Sequence, residues 1–133
     1  MGLPQVDASS LPSSPDGLKD GLPKAGDSTY LFFIVGNDEA TGQPWCPDVR
    51  AALPVVEKYF AQHPDLDIST VSVGSRPEWK DPERSKLWRS TWGIRAVPTL
   101  VKYTRTEEGI SQEQLVELDA AVEENVEKFT KGL

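Results

Sequence analysis

The sequence contains one cysteine among its 133 residues. A single cysteine cannot form an internal disulfide, and this is typical of a protein from a reducing compartment, so we expect a cytoplasmic location. The chain also contains one histidine, His63. Because no cluster of cysteine, histidine and acidic residues accompanies it, the sequence predicts neither a metal site nor a cofactor.

The sequence has few basic residues: its 14 lysines and arginines are outnumbered by 21 acidic residues, which gives a net charge of −7. Nucleic acids and anionic membrane surfaces both favour clustered positive charge, so we expect neither as a partner. Long apolar runs are also missing, because none approaches the roughly 18 residues of a membrane-spanning helix. The N-terminus shows no signal-peptide pattern, and we therefore expect no membrane insertion.

The apolar pattern predicts a single α/β domain after an N-terminal segment, residues 1–27, that is rich in turn-forming residues and partly irregular. Strands are predicted at 30–35, 67–73, 99–103 and 114–118, and helices at 46–62, 83–91 and 120–131. Residues 74–82 are predicted as a loop, and Asp119 as the N-cap of the last helix. This order predicts a central mixed β-sheet flanked by helices on both faces.

The only cysteine lies in the motif Trp45-Cys46-Pro47-Asp48-Val49, at the predicted start of a helix. Unpaired backbone N–H groups and the helix dipole favour negative charge there, so a nucleophilic thiolate is plausible. A lone cysteine is also commonly a small buried hydrophobe, and this alternative stays open. Asp48 has two interpretations as well: a favourable first-turn charge, or a carboxylate that opposes the stabilisation of a thiolate.

Four sequence motifs lie in register with one another. They are the nine-residue loop 36–44, the Trp-Cys-Pro-Asp sequence with Pro-Val-Val at 54–56, the pair Val-Gly at 73–74 with Pro-Glu-Trp-Lys-Asp-Pro at 77–82, and Ala-Val-Pro-Thr-Leu-Val-Lys-Tyr at 96–103. With these motifs the chain resembles proteins of the thioredoxin fold, and the resemblance is closest to the cytosolic thioredoxin-related proteins with a Trp-Cys-Pro-Asp-Cys motif, the thioredoxin domain-containing protein 17 type. The resemblance implies that residues 28–133 form a thioredoxin-like domain.

The resemblance also implies roles for individual residues. Cys46 would be the catalytic nucleophile, with Asp48, Trp45 and Pro47 completing the catalytic motif. Residues Val97, Pro98 and Trp79 would contact substrate, with a cis peptide bond before the proline and the Val97 backbone offered to an extended substrate segment. Alternatives remain: the tryptophans could cover core, and the proline could be an ordinary strand-entry residue.

Val49 stands where this family has its second, resolving cysteine. The first thiolate can attack a disulfide, but no thiol of this chain can release the resulting mixed disulfide. The sequence therefore predicts a monothiol thiol-disulfide oxidoreductase of the protein-disulfide reductase class that needs an external thiol to complete turnover. The alternative is a redox-inactive binding module that holds partner proteins through the groove between Trp45 and Pro98.

The partners expected for the enzyme are disulfide-containing or thiol-modified proteins and small thiols such as glutathione, with a thioredoxin reductase as a further electron donor. We expect a monomer that can form a Cys46-linked dimer on oxidation, because no second thiol is available within the chain.

Overall fold

Four strands form one mixed sheet in the computed structural model, which describes residues 2–132. The strands are β1 (Ser28–Ile34), β2 (Ile68–Ser72), β3 (Thr99–Arg105) and β4 (Ile110–Val116). Their order across the sheet is β2-β1-β3-β4, with β2 parallel to β1 and the other pairs antiparallel. Strand β1 is thus an interior strand, as its continuous apolar run predicts.

Helices cover both faces of this sheet, and the predicted thioredoxin fold is confirmed. The α-helices are α1 (Pro47–Ala61), α2 (Arg76–Lys80) and α3 (Glu123–Lys131). A π-helical turn spans Leu87–Thr91, and 3₁₀ turns span Ala8–Ser10, Pro15–Gly21 and Glu117–Ala121.

Neighbouring side chains of β1 point to opposite faces, and aromatic contacts show what covers each face. The ring of Tyr30 packs edge-on against Phe60 of α1, with centroids 5.2 Å apart, and against Phe129 of α3 at 6.4 Å. On the other face, Phe33 packs against Trp88 of the π-helical turn at 6.0 Å. Helices α1 and α3 therefore share one face, and the segment between β2 and β3 covers the other.

The outer edge of β2 is paired with the N-terminal segment. The backbone N–H of Val6 donates to the carbonyl of Thr70 at 2.9 Å, and the N–H of Thr70 donates to the carbonyl of Pro4 at 2.8 Å. These two bonds form a short parallel bridge, so the beginning of the chain extends the sheet by a few residues.

Further along, the N-terminal segment is attached to the end of β3. One terminal nitrogen of Arg105 donates to the carbonyls of Lys19 and Leu22, at 2.9 and 3.1 Å. The N-terminal segment therefore contacts the sheet through Pro4, Val6, Lys19 and Leu22, while the division of the chain at residue 27 stays a prediction.

The predicted loop at 74–82 is wrong, because helix α2 occupies its centre. The hydroxyl of Ser75 accepts the backbone N–H of Glu78 at 3.3 Å, and the carboxylate of Glu78 accepts the backbone N–H of Ser75 at 3.0 Å. This reciprocal capping box starts the helix. The hydrogen bond from the Ser75 backbone N–H, and after it the one that the Ser75 hydroxyl donates to the same carboxylate at 2.9 Å, lower the pKa of Glu78 below its usual range.

The C-terminal elements also differ from the prediction. The fourth strand begins and ends earlier than predicted, because a tight turn at 106–109 pairs Ile110 with Arg105 and sets the register. Glu117 then leaves the strand with a positive φ of 53°, and its N–H donates to the carbonyl of Pro98 at 2.7 Å. Asp119 therefore lies in a 3₁₀ turn and caps no helix, since α3 begins only at Glu123.

The helix predicted at 83–91, between β2 and β3, is reduced to the π-helical turn at its end.

Two buried tyrosines provide a matched test of the core. The hydroxyl of Tyr103 is buried and has no hydrogen-bond partner among residues 2–132, and burial raises its pKa. The hydroxyl of Tyr59 is 2.6 Å from the hydroxyl of Thr130. Because an unpaired buried hydroxyl is unfavourable, Tyr103→Phe should leave the free energy of unfolding unchanged or raise it, whereas Tyr59→Phe should lower it by about 1 kcal/mol. Urea denaturation measures both, and a larger loss for Tyr103→Phe would contradict this account.

Candidate active site around Cys46

Cys46 occupies the N-cap of α1, as predicted. Its carbonyl accepts the backbone N–H of Arg50 at 3.1 Å, while its own φ and ψ of −93° and 123° are extended. Pro47 takes the first helical position, where its fixed φ and missing N–H match the requirements of a helix start. The thiol is half-buried, so it combines contact with the protein and access from solvent.

The thiol faces the segment that precedes β3. The Sγ of Cys46 lies 3.9 Å from the carbonyl oxygen of Val97, within reach of a weak S–H hydrogen bond. The peptide bond between Val97 and Pro98 is cis, which confirms the expectation, and both residues are buried. The structure thus brings together three of the predicted site residues from two distant parts of the chain.

Trp45 is held against the loop that leads into α2. Its indole N–H donates to the carbonyl of Gly74 at 3.0 Å, and the same carbonyl accepts the N–H of Gly36 at 2.9 Å. Gly74 has a φ of +101°, and a Cβ at this position would lie 2.8 Å from the Glu78 carboxylate, so glycine is required. On the other side, the guanidinium of Arg76 lies 5.3 Å from the centre of the Trp45 ring.

A cavity of about 360 Å³ opens beside Trp45. Its lining comes from the long loop and the start of α2, namely Asn37, Asp38, Glu39, Trp45, Ser75 and Arg76. The loop is internally ordered, because the N–H of Asp38 donates to Gln43 and the N–H of Gly42 donates to the carbonyl of Asp38, both at 2.7 Å. The nine-residue loop therefore forms one wall of this cavity beside Trp45.

Trp79 is buried beneath a hydrogen-bonded arginine. The guanidinium of Arg89 lies 3.8 Å from the centre of the Trp79 ring and donates to the Trp79 carbonyl at 3.0 Å. It also donates to the carbonyl of Arg95 at 3.3 Å and to the hydroxyl of Ser85 at 3.1 Å. Arg89 thereby joins α2 to the segment that leads into Val97.

Sequence analysis missed Arg89, because no local spacing identifies a side chain whose partners lie ten residues before and six residues after it. The position of Trp79 also bears on its expected role. With 7% of its surface exposed, it packs mainly into the core, and substrate contact by this residue stays a prediction.

Val49 and Asp48 lie in the first turn of α1 with different exposure. Val49 is completely buried in the hydrophobic core, so a thiol at this position would be shielded from solvent. Asp48 is half-buried, and both interpretations of its carboxylate stay open. His63 follows the opposite end of α1, where its Nδ1 lies 2.8 Å from the carbonyl of Tyr59, and it is remote from Cys46 along the helix.

Within residues 2–132, no three cysteine, histidine or acidic residues are grouped so that they could hold a metal ion. None of the helices in the same range is both long enough and apolar enough to cross a bilayer.

Comparison with known proteins identifies relatives of the chain. Residues 17–128 match the family described as thioredoxin domain-containing protein 17-like, thioredoxin domain. A thioredoxin domain-containing protein of Schizosaccharomyces pombe is 39% identical over 106 residues, which cover 79% of this chain and 82% of the relative. The thioredoxin-like protein Clot of Arabidopsis thaliana is 36% identical over 106 residues, covering 77% and 79%.

Among solved structures, Fasciola hepatica thioredoxin superposes on this chain with a TM-score of 0.57 and 15% sequence identity. The match covers 95% of this chain and 93% of the thioredoxin. At this identity the likeness shows the fold, and the α/β thioredoxin architecture is therefore established.

The contacts of Arg89 generate a stability prediction. Arg89→Ala removes donors from two backbone carbonyls and one hydroxyl and uncovers Trp79, so we expect the free energy of unfolding to fall by about 1–2 kcal/mol. Arg84 is the control, because it forms only an exposed ion pair with Glu78 at 3.7 Å. Arg84→Ala should cost about 0.5 kcal/mol or less. Equal losses in urea denaturation would show that Arg89 does not hold this segment.

Proposed function

The chain belongs to the thioredoxin domain-containing protein 17-like family, and on that basis we propose that it is a thiol-disulfide oxidoreductase with a single active-site cysteine. The observation that carries the proposal is the position of the Cys46 thiol. It is half-buried at the N-cap of α1 and 3.9 Å from the carbonyl of Val97, beside the cis proline. We further propose that it acts in the reducing cytoplasm.

The first step is attack on a partner disulfide. The Cys46 thiolate attacks one sulfur of the partner, a new S–S bond forms to that sulfur, and the partner's own disulfide breaks. The other partner sulfur leaves with the electron pair as a thiolate and takes a proton from solvent. The attacking species is the thiolate form of Cys46, because the thiolate and not the thiol is the nucleophile in disulfide exchange.

The second step requires a thiol from outside the chain, because the buried Val49 has none to offer. A small thiol such as glutathione attacks the mixed disulfide, and Cys46 leaves as a thiolate while the attacking sulfur becomes bonded to the partner's sulfur. A second small thiol releases the partner as a reduced thiol and forms the disulfide of the small thiol. A thioredoxin reductase would then return that pair of electrons.

The groove beside Cys46 supports protein partners as substrates. The segment before Pro98 is not part of a strand, and an extended partner segment can pair with the Val97 backbone while its sulfur approaches Cys46. Disulfide-containing and thiol-modified proteins both fit this geometry. The protein would work as a monomer, and its single accessible thiol would link two copies only on oxidation.

A binding module without turnover is the second candidate function. It is favoured by Val49, which packs fully into the core where the family's second thiol is expected. Such a module would hold partner segments between Trp45 and Pro98 without exchanging disulfides. The two candidates differ in whether partners are held through a covalent bond to Cys46.

Covalent trapping separates the two candidates. Because this chain has no second thiol to release it, a mixed disulfide on Cys46 should persist during capture from a lysate from which glutathione and other small thiols have been removed. Dithiothreitol should then elute the partners, and Cys46→Ser should recover almost none of them. Partners recovered equally well by Cys46→Ser would support the binding module and refute the exchange reaction.

Restoring the second thiol tests the missing step. Residues 46 and 49 lie on the same face of the first turn of α1, so Val49→Cys should form an internal disulfide on oxidation. The variant should reduce a small disulfide with a suitable electron donor at least about tenfold faster than the parent, which depends on added glutathione. Since Val49 is fully buried, we expect a stability cost of about 1 kcal/mol. A variant that forms its disulfide but reduces no substrate would favour the binding module.

A further inference from the structure

Basic residues are concentrated in one segment of this acidic chain. Residues 76–95 contain six of the 14 lysines and arginines but only three of the 21 acidic residues, so this segment carries a net charge of +3. The rest of the chain retains eight basic and 18 acidic residues. The segment is the one that connects β2 to β3 and contains α2 and the π-helical turn.

Four of these six side chains carry a charge that is available to a partner, although Arg76 also contacts Trp45. The guanidinium of Arg89 already donates hydrogen bonds within the protein, and Arg84 forms an ion pair with Glu78. The remaining four are exposed and form no ion pair among the residues that the structure describes. They are Arg76, Lys80, Lys86 and Arg95. We call these four residues the basic surface.

Both ends of the basic surface reach the candidate active site. At one end, Arg76 covers the Trp45 ring and donates to the Trp45 carbonyl at 3.4 Å, next to the cysteine. At the other end, Arg95 lies two residues before Val97, whose carbonyl contacts the thiol. A protein segment docked on Cys46 would therefore have Arg76 beside it at Trp45 and Arg95 two residues along the chain from Val97.

Carboxylates lie on the other elements that adjoin Trp45, Cys46 and Pro98. Asp38 and Glu39 line the cavity beside Trp45 together with Arg76, Asp48 lies in the first turn of α1, and the backbone N–H of Glu117 donates to the Pro98 carbonyl. The carboxylate of Asp38 accepts the N–H of Ala40 at 2.7 Å. Residues 76–95 thus contribute a positive net charge beside the site, whereas the long loop and the first turn of α1 contribute carboxylates.

We propose that the basic surface docks acidic residues that flank the reactive sulfur of a protein substrate. This inference rests on the proposed exchange reaction and adds the class of substrate to it. At physiological salt, charges interact mainly within about 8 Å, so the charges close to the docked segment act on it and the net charge of the whole chain does not decide its preference. Complementary charge at this distance raises the rate of productive encounter and fixes the orientation of the partner.

The test uses three peptides, each with a single cysteine that is activated as a mixed disulfide with 5-thio-2-nitrobenzoate. The peptides differ only in the residues that flank this cysteine, which are aspartates, serines or lysines. The Cys46 thiolate attacks the peptide sulfur, a Cys46–peptide disulfide forms, and thionitrobenzoate leaves as a coloured thiolate whose absorbance gives the rate. Each rate is divided by that peptide's rate with 2-mercaptoethanol, which removes differences in intrinsic reactivity.

At low ionic strength we expect the aspartate peptide to react about tenfold faster than the lysine peptide, and high salt should reduce this ratio to below about two. Lys80→Glu combined with Arg95→Glu should abolish or invert the ratio. The matched control is Lys24→Glu combined with Lys58→Glu, which changes the net charge equally at exposed, unpaired lysines outside the segment and should preserve the ratio.

The outcomes separate this inference from the proposed function. If the serine peptide reacts but the aspartate and lysine peptides react equally at low salt in the parent, the basic surface does not select substrates. An equal fall of the ratio in both double variants would assign the effect to net charge and overturn the inference as well. If none of the three peptides releases thionitrobenzoate, Cys46 is unreactive and the exchange function itself fails.

Discussion

The burial of both faces of β1 is the constraint on which the rest of this structure depends. Phe32 and Phe33 are adjacent and point in opposite directions, yet both are completely buried. A strand of this kind must have neighbours on both edges and helices on both faces. Its end also fixes the site, because the carbonyl of Gly36, just beyond β1, accepts the N–H of Trp45 at 3.3 Å and closes the long loop immediately before Cys46.

The parts of the fold that follow from apolar periodicity could be predicted from the sequence. Strand β1 and helix α1 lie within one or two residues of their predicted bounds, since each buries a long and regular apolar pattern. The meeting of Cys46 with Val97 and Pro98 could not be derived from local pattern, because 51 residues separate the thiol from the carbonyl that it contacts. It was expected only from the resemblance of several motifs to a known family.

The elements that sequence analysis misplaced depend on hydrogen bonds and register more than on hydrophobicity. Helix α2 is five residues long and begins with the Ser75–Glu78 capping box. This signal is present in the sequence, but the prolines of the same segment favour the prediction of a loop. Strand β4 is exposed over most of its length. Its bounds are therefore set by its hydrogen-bonded pairing with β3 and not by a pattern of apolar residues. Arg89 was missed for a similar reason, since its partners come together only after the chain has folded.

The short bridge between the N-terminal segment and β2 has a consequence for the behaviour of the protein in concentrated solution. Without Pro4 and Val6, the N–H and carbonyl of Thr70 would face outward on an open sheet edge. Such an edge is a template on which a strand from another molecule can pair, and repeated pairing of this kind leads to aggregation. These few residues and two hydrogen bonds thus protect the edge of β2 from pairing with another molecule. Removal of the bridge should therefore promote aggregation even where the domain still folds.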